Sequence, residues 1–244
     1  MRKTAIALLA LGLVAVMTAP AFAASFWSET FSYADGGIVT VSGGLWALHS
    51  GTVTDVQVVN GEARLLPANA NDNNRSFIAR DALATTYAAF KMRVGPIVPT
   101  TAAYFAHFKD SGTFNFAGRV WVQPNGTTQF NLGISAASTT VTYWATPLDL
   151  GTNYNVAIKW DGTAGTATLW VNPVNEGSAS IVSTPLATLP STWAISAFAL
   201  RQANNYGEVF VDNLGVGDTF TDAFIAGPTP VEGTTWGKLK ALYR

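Results

Sequence analysis

The chain has 244 residues, 48% hydrophobic and 12% charged, with 14 Lys/Arg against 15 Asp/Glu and a formal net charge of −1. That balance offers no electrostatic footprint for nucleic acid or an anionic membrane surface. With no Cys and only two His, disulfides, thiolate zinc sites, cysteine nucleophiles and multi-histidine metal sites are excluded.

Residues 1–23 read as a secretory signal peptide. Arg2 and Lys3 make a basic start, residues 5–18 an apolar run, and Ala21-Phe22-Ala23 an A-x-A cleavage site. The run is short for a membrane span, and no second long apolar run follows. The expected product is therefore exported and soluble, outside the cell or on its surface, with the periplasm as the alternative. It would begin at residue 24 and, without Arg2 and Lys3, carry 12 basic residues against 15 acidic ones, a net −3.

From residue 24 to about 226 the pattern is β nearly throughout. Apolar-polar alternation or β-branched runs predict strands over 38–41, 53–59, 87–94, 103–108, 119–123, 129–134, 139–145, 155–160, 166–171, 194–201 and 208–216. Turn pairs such as Asn60-Gly61, Asn125-Gly126, Asp161-Gly162 and Asn172-Pro173 separate them. Many short strands with regular turns mean one sandwich of two antiparallel sheets. Residues 67–76, PANANDNNRS, read as a polar loop, and 80–86 reads as a loop as well as a helix. No segment before residue 236 has a convincing helical period.

The last predicted strand lies in EVFVDNLGVG, residues 208–217. Simple alternation puts Asp212 between Phe210 and Leu214 on one face, where a charge needs a partner or an exposed edge. Residues 227–235, GPTPVEGTT, are a linker. Residues 236–244, WGKLKALYR, form a short basic amphipathic tail, with Trp236, Leu239 and Tyr243 on one helical stripe and Thr235 as its N-cap. Such a tail would dock to a protein partner or act as a sorting tag; the alternative is a frayed end.

Six phrases carry a family resemblance: ETFSYADGG (29–37), VVNGEARL (58–65), YFAHFKD (104–110), FNLGIS (130–135), TATLWVNP (166–173) and VFVDNLGVGDTF (209–220). Together they resemble the concanavalin A-like jelly-roll superfamily and, more narrowly, the laminin G-like domains of secreted bacterial proteins. They are fold phrases, and none is a catalytic signature. The resemblance implies that the first strand pairs with the last. It also implies a structural calcium, with Glu29, the carbonyl of Gly61 and Asp212 at the matching positions. Those oxygen ligands suit calcium. The alternative is an Asp212 that bonds backbone amides and holds no metal.

Many members of that superfamily are glycoside hydrolases, which need two carboxyl groups about 5–9.5 Å apart. The close Glu/Asp/Glu cluster of its best-known hydrolases does not occur here. Glu208 and Asp212 share a strand face under simple alternation, but four residues of strand put them about 13 Å apart. His49 and Ser50 point apart in a strand, and His107 has no partner that sequence can name. No catalytic residue is expected.

A jelly roll also offers a concave face. By alternation its non-core positions are His107, Arg119, Trp121, Asn131, Trp144, Trp170 and Arg201, a mixture of flat aromatics, amide and charge that suits sugars. The expectation is a secreted, non-catalytic carbohydrate-binding or adhesive domain. The alternative is an extracellular structural or assembly protein that docks through its tail. A glycoside hydrolase comes third, disfavoured by the missing carboxylate pair.

Overall fold

The computed structural model describes residues 25–51, 54–67, 70–95, 98–188, 194–203 and 207–226. The expected signal peptide, linker and tail lie outside the described residues.

In chain order the elements are β1 (Ser25–Glu29), β2 (Gly36–Gly37), α1 (Ile38–Val41), β3 (Ala47–Ser50), β4 (Gln57–Val59), β5 (Glu62–Leu65), β6 (Asp72–Arg80), β7 (Thr85–Val94) and β8 (Ala103–Lys109). There follow β9 (Phe116–Asn125), β10 (Gln129–Ser135), β11 (Thr142–Tyr143), β12 (Leu148–Asp149), β13 (Tyr154–Asp161), β14 (Thr166–Val171), β15 (Ser180–Val182), β16 (Ile195–Arg201), β17 (Val209–Gly217) and α2 (Phe220–Ala226). They form an all-β sandwich. The first sheet has the order β15-β14-β13-β7-β17-β5-β4-β2, with β1 also on β17. The second runs β11-β10-β9-β8-β16-β6-β3, with β12 on β10. The first and last strands pair antiparallel, Glu29 opposite Leu214.

Period-2 sequence builds the core. Ala88, Phe90, Met92 and Val94 of β7 point inward, as do Val120 and Val122 of β9 and Phe198 and Leu200 of β16. Phe90 meets Phe105 and Phe198 across the layers, with ring centroids 6.1 and 6.2 Å apart. Burying such side chains from two sheets is the main favourable term in a chain without disulfides.

The structure corrects several expectations. Residues 38–41, expected as a strand, form the single turn α1. The Asn-rich stretch expected as a loop supplies the start of β6 from Asp72. Its amides satisfy buried backbone: Asn73 Oδ1 accepts from the Val56 N–H at 2.9 Å, and its amide donates to Asp55 at 3.1 Å. The strand expected over 139–145 shrinks to β11. The helix α2, unexpected before residue 236, is capped by Thr219, whose Oγ1 accepts from the Asp222 N–H at 3.2 Å. Phe220, Ala223 and Phe224 form its apolar stripe and pack on Tyr87, Ala89, Ala157 and Trp170 of the first sheet's outer face.

Alternation in β17 is broken by a bulge between Asp212 and Gly215, where Asn213 takes φ 49°. The extra residue returns Leu214 and Val216 to the core beside Val209 and Val211. Asp212 therefore sits on the outer face, paired to Lys91 at 2.6 Å.

Candidate functional site

The sequence-predicted residues separate into three places. Trp170 belongs to the first sheet, 3% exposed beneath α2, so it is not on a common face with the others. Trp144 follows the short β11 and packs against the core; its N–H donates to the Leu132 carbonyl at 2.8 Å. Both corrections come from elements that alternation alone could not see. His107, Arg119, Trp121, Asn131 and Arg201 lie on one sheet, the second, carried by β8, β9, β10 and β16, but His107 is fully buried and Trp121 only 9% exposed, so neither is open to a ligand as alternation had it.

On the outer face of that sheet Tyr104 is the hub. A register shift between Tyr104 and Ala106 gives β8 an extra residue, so Tyr104 and His107 both turn outward while Phe105, Ala106 and Phe108 stay in the core. The Tyr104 ring lies 5.3 Å from Trp121 and 5.5 Å from His107. The guanidinium of Arg201 sits 4.2 Å from its centroid and that of Arg119 5.0 Å. Arg119 also stands 5.4 Å from the Phe116 ring. Trp121 is fixed by its indole N–H, which donates to Ser135 Oγ at 2.8 Å. Asn131 pairs across the strands with Gln123, half-buried at the β10 side of the patch.

Across β16 and β6 the same face continues to β3. Three strand spacings, about 14 Å, separate β3 from β8. Yet the His49 and His107 rings approach to 6.4 Å. Ala197 and Ala199 of β16 are the small residues that leave room for this. Asp72 closes this side: Ser50 Oγ donates to it at 3.1 Å, and Arg201 Nε lies 3.9 Å away.

Burial governs the charges here. It pushes the Asp72 carboxyl up to about 6, against Arg201 and Ser50, which pull it down. Burial holds His107 well below the ordinary imidazole value, helped by Arg119, His49, Arg201 and Lys109. His49 is lowered by burial and by Lys109, against Gly112 and Asp110, and its Nδ1 lies 3.9 Å from Asp72. Three cavities border these residues. One of about 430 Å³ is lined by Ser50, Asp72 and Arg201, one of about 380 Å³ by His49, Asn74 and Lys109, and one of about 300 Å³ by Phe116 and Arg119. Sequence reasoning missed Tyr104, Phe116, His49 and Asp72. Only Tyr104 carried a signal, an aromatic three residues before His107 in YFAHFKD.

The implied calcium ligands do not fit a metal. The β1–β17 and β5–β17 pairings bring Glu29, Gly61 and Asp212 to one neighbourhood, but on opposite faces of the sheet. Glu29 shares the core side with Leu214, and its carboxylate accepts from Phe31 N–H, Tyr33, Trp46 and Arg75. Asp212 faces outward to Lys91 and accepts from the Asn213 N–H at 2.7 Å. Gly61 is the left-handed turn residue, φ 77°, between β4 and β5. Among the described residues no three His, Cys, Asp or Glu are placed to hold a metal ion.

The sequence matches no protein-family model and no curated protein. Among solved structures it is similar to a sialidase (12% identity, TM-score 0.49, 81% of this chain), of which it spans 19%. It is also similar to the CBM2 module of the evolved Dit of Lactobacillus casei BL23 phage J-1 (11%, TM-score 0.49, 81% of this chain and 97% of that one). A third is an alginate lyase from Alteromonas sp. 272 (11%, TM-score 0.45, 72% and 94%). The likeness is one of sandwich architecture. Among the described residues no helix is long and apolar enough to cross a membrane.

Proposed function

We propose that this chain is a secreted, non-catalytic carbohydrate-binding domain of the concanavalin A-like, laminin G-like kind, and that its glycan lies on the outer face of the second sheet. One observation carries the reading: Tyr104, flanked by two guanidiniums and set beside Trp121, on a face bordered by open cavities. An aromatic ring with a few polar groups aimed at the same space is the usual make-up of a sugar subsite. Export through a leader cleaved after Ala23, and docking or sorting through residues 236–244, belong to the same proposal.

A glycan array probed with the whole chain tests it. Retention of one polysaccharide class is expected, with Tyr104→Ala lowering it at an unchanged melting temperature. An array without retention, or a folded Tyr104→Ala that binds like the parent, would contradict the proposal.

A further inference from the structure

We infer that the ligand of this face is an acidic polysaccharide, one whose sugars carry carboxylates; this rests on the carbohydrate-binding reading above. The two sheets treat their outward charges differently. On the first sheet they are matched: Lys91 with Asp212 at 2.6 Å, Arg93 with Glu62, and Arg64 with Glu208. On the second sheet they are not. Arg119 makes no ion pair among the described residues, and its buried Nε has no hydrogen-bond partner. The faces of Tyr104 and Phe116 hold its guanidinium through their quadrupoles but supply no oxygen. Among the described residues Arg201 meets the Tyr104 carbonyl at 3.3 Å and Asp72 at 3.9 Å. Lys109 Nζ spends its contact on the carbonyl of Asp110 at 2.6 Å.

Burying a cation without a counter-charge is costly, so a half-buried guanidinium that lacks one favours an anion beside it. The planar fork of Arg matches a carboxylate. A neutral sugar would leave that charge unmet. Arg119 and Arg201 line different cavities, and both guanidiniums lie against the Tyr104 ring. A polymer crossing the ring presents one acid group to each, which a single acidic sugar does not.

Affinity gel electrophoresis of the whole chain tests this, with polygalacturonate, its methyl ester and alginate cast in separate gels. The ester keeps the backbone and removes the charge. Retardation should be at least about tenfold stronger on the free acids than on the ester, and should weaken in high salt. Arg119→Gln and Arg201→Gln should each weaken it about tenfold or more, and Arg119→Lys less. Arg201, whose side chain is 27% exposed, serves if Arg119→Gln fails to fold. Equal retardation by acid and ester, folded glutamine variants that bind like the parent, or equal retardation by single-stranded DNA would overturn the inference. Array retention of a neutral glycan alone would overturn the acidic ligand and leave the carbohydrate-binding reading standing. No retention by any glycan would overturn both.

Discussion

Glu29 is 4% exposed and charged, and its surroundings explain why that is tolerated. Its oxygens accept from the Phe31 N–H and Tyr33 Oη at 2.8 Å each, and from Trp46 Nε1 and Arg75 at 2.9 Å each. Burial and the Glu29 carboxylate together push the Tyr33 hydroxyl up to about 12, which keeps it a donor. Removing the acid would strand Arg75 next to Trp27, so Glu29→Ala should cost about 3–5 kcal/mol in urea unfolding. Asp72 differs because burial there outweighs its partners. Folded, it holds its proton up to about pH 6; unfolded, it releases it near 3.8. The unfolded chain therefore binds fewer protons between these values, and the contribution of Asp72 to stability falls as pH rises through that window. The groups facing it are Arg201, Ser50 and His49. Below pH 6 a neutral Asp72 leaves Arg201 to the ligand. Affinity for polygalacturonate should then rise roughly two- to fivefold from pH 7 to pH 5. Asp72→Asn should bind with the higher affinity at both. Arg119, Trp121 and Arg201 were legible because β9 from Arg119 onward and β16 from Ala197 onward alternate beside valine, phenylalanine and leucine. Asp72 was hidden in an asparagine run, since side-chain amides that satisfy buried backbone look like loop composition.

At the scale of elements, the informative departures are the bulge in β17 and the helix α2. The bulge needs a left-handed residue, and Asn213 at φ 49° provides it. A β-branched side chain does not tolerate that conformation, so Asn213→Val should destabilise the chain by about 1–2 kcal/mol, with Asn213→Gly near neutral, in the same urea assay. Without the bulge, Leu214 and Val216 would leave the core, which is why simple alternation misplaced Asp212. The signals for α2 were present as Thr219 before Asp222 and as Phe220, Ala223 and Phe224 at helical spacing. Seven residues are too few for that period to stand out against a β pattern. Gly217 marks the docking site: a Cβ there would lie 2.6 Å from Asp222 Cβ, so strand and helix meet where only glycine fits.

Over the whole molecule the two outer faces are unlike. The first sheet is covered at one part by α2, which seals Trp170, and crossed elsewhere by matched ion pairs. The second sheet presents Tyr104 beside a buried Trp121, with two guanidiniums and Asp72 next to it. The proposed ligand face follows from that asymmetry. The sandwich itself, with its paired first and last strands, was readable from short strands and turn pairs. Which face stays open depends on α2 and on cross-strand pairing, and neither is visible along the chain. Hydrogen-exchange mass spectrometry of the whole chain, with and without oligogalacturonate, tests the claim most directly. Protection confined to peptides of β8, β9 and β16 and the loops that flank them is the predicted result. Protection of β7, β13 or β17 in the first sheet instead would contradict it.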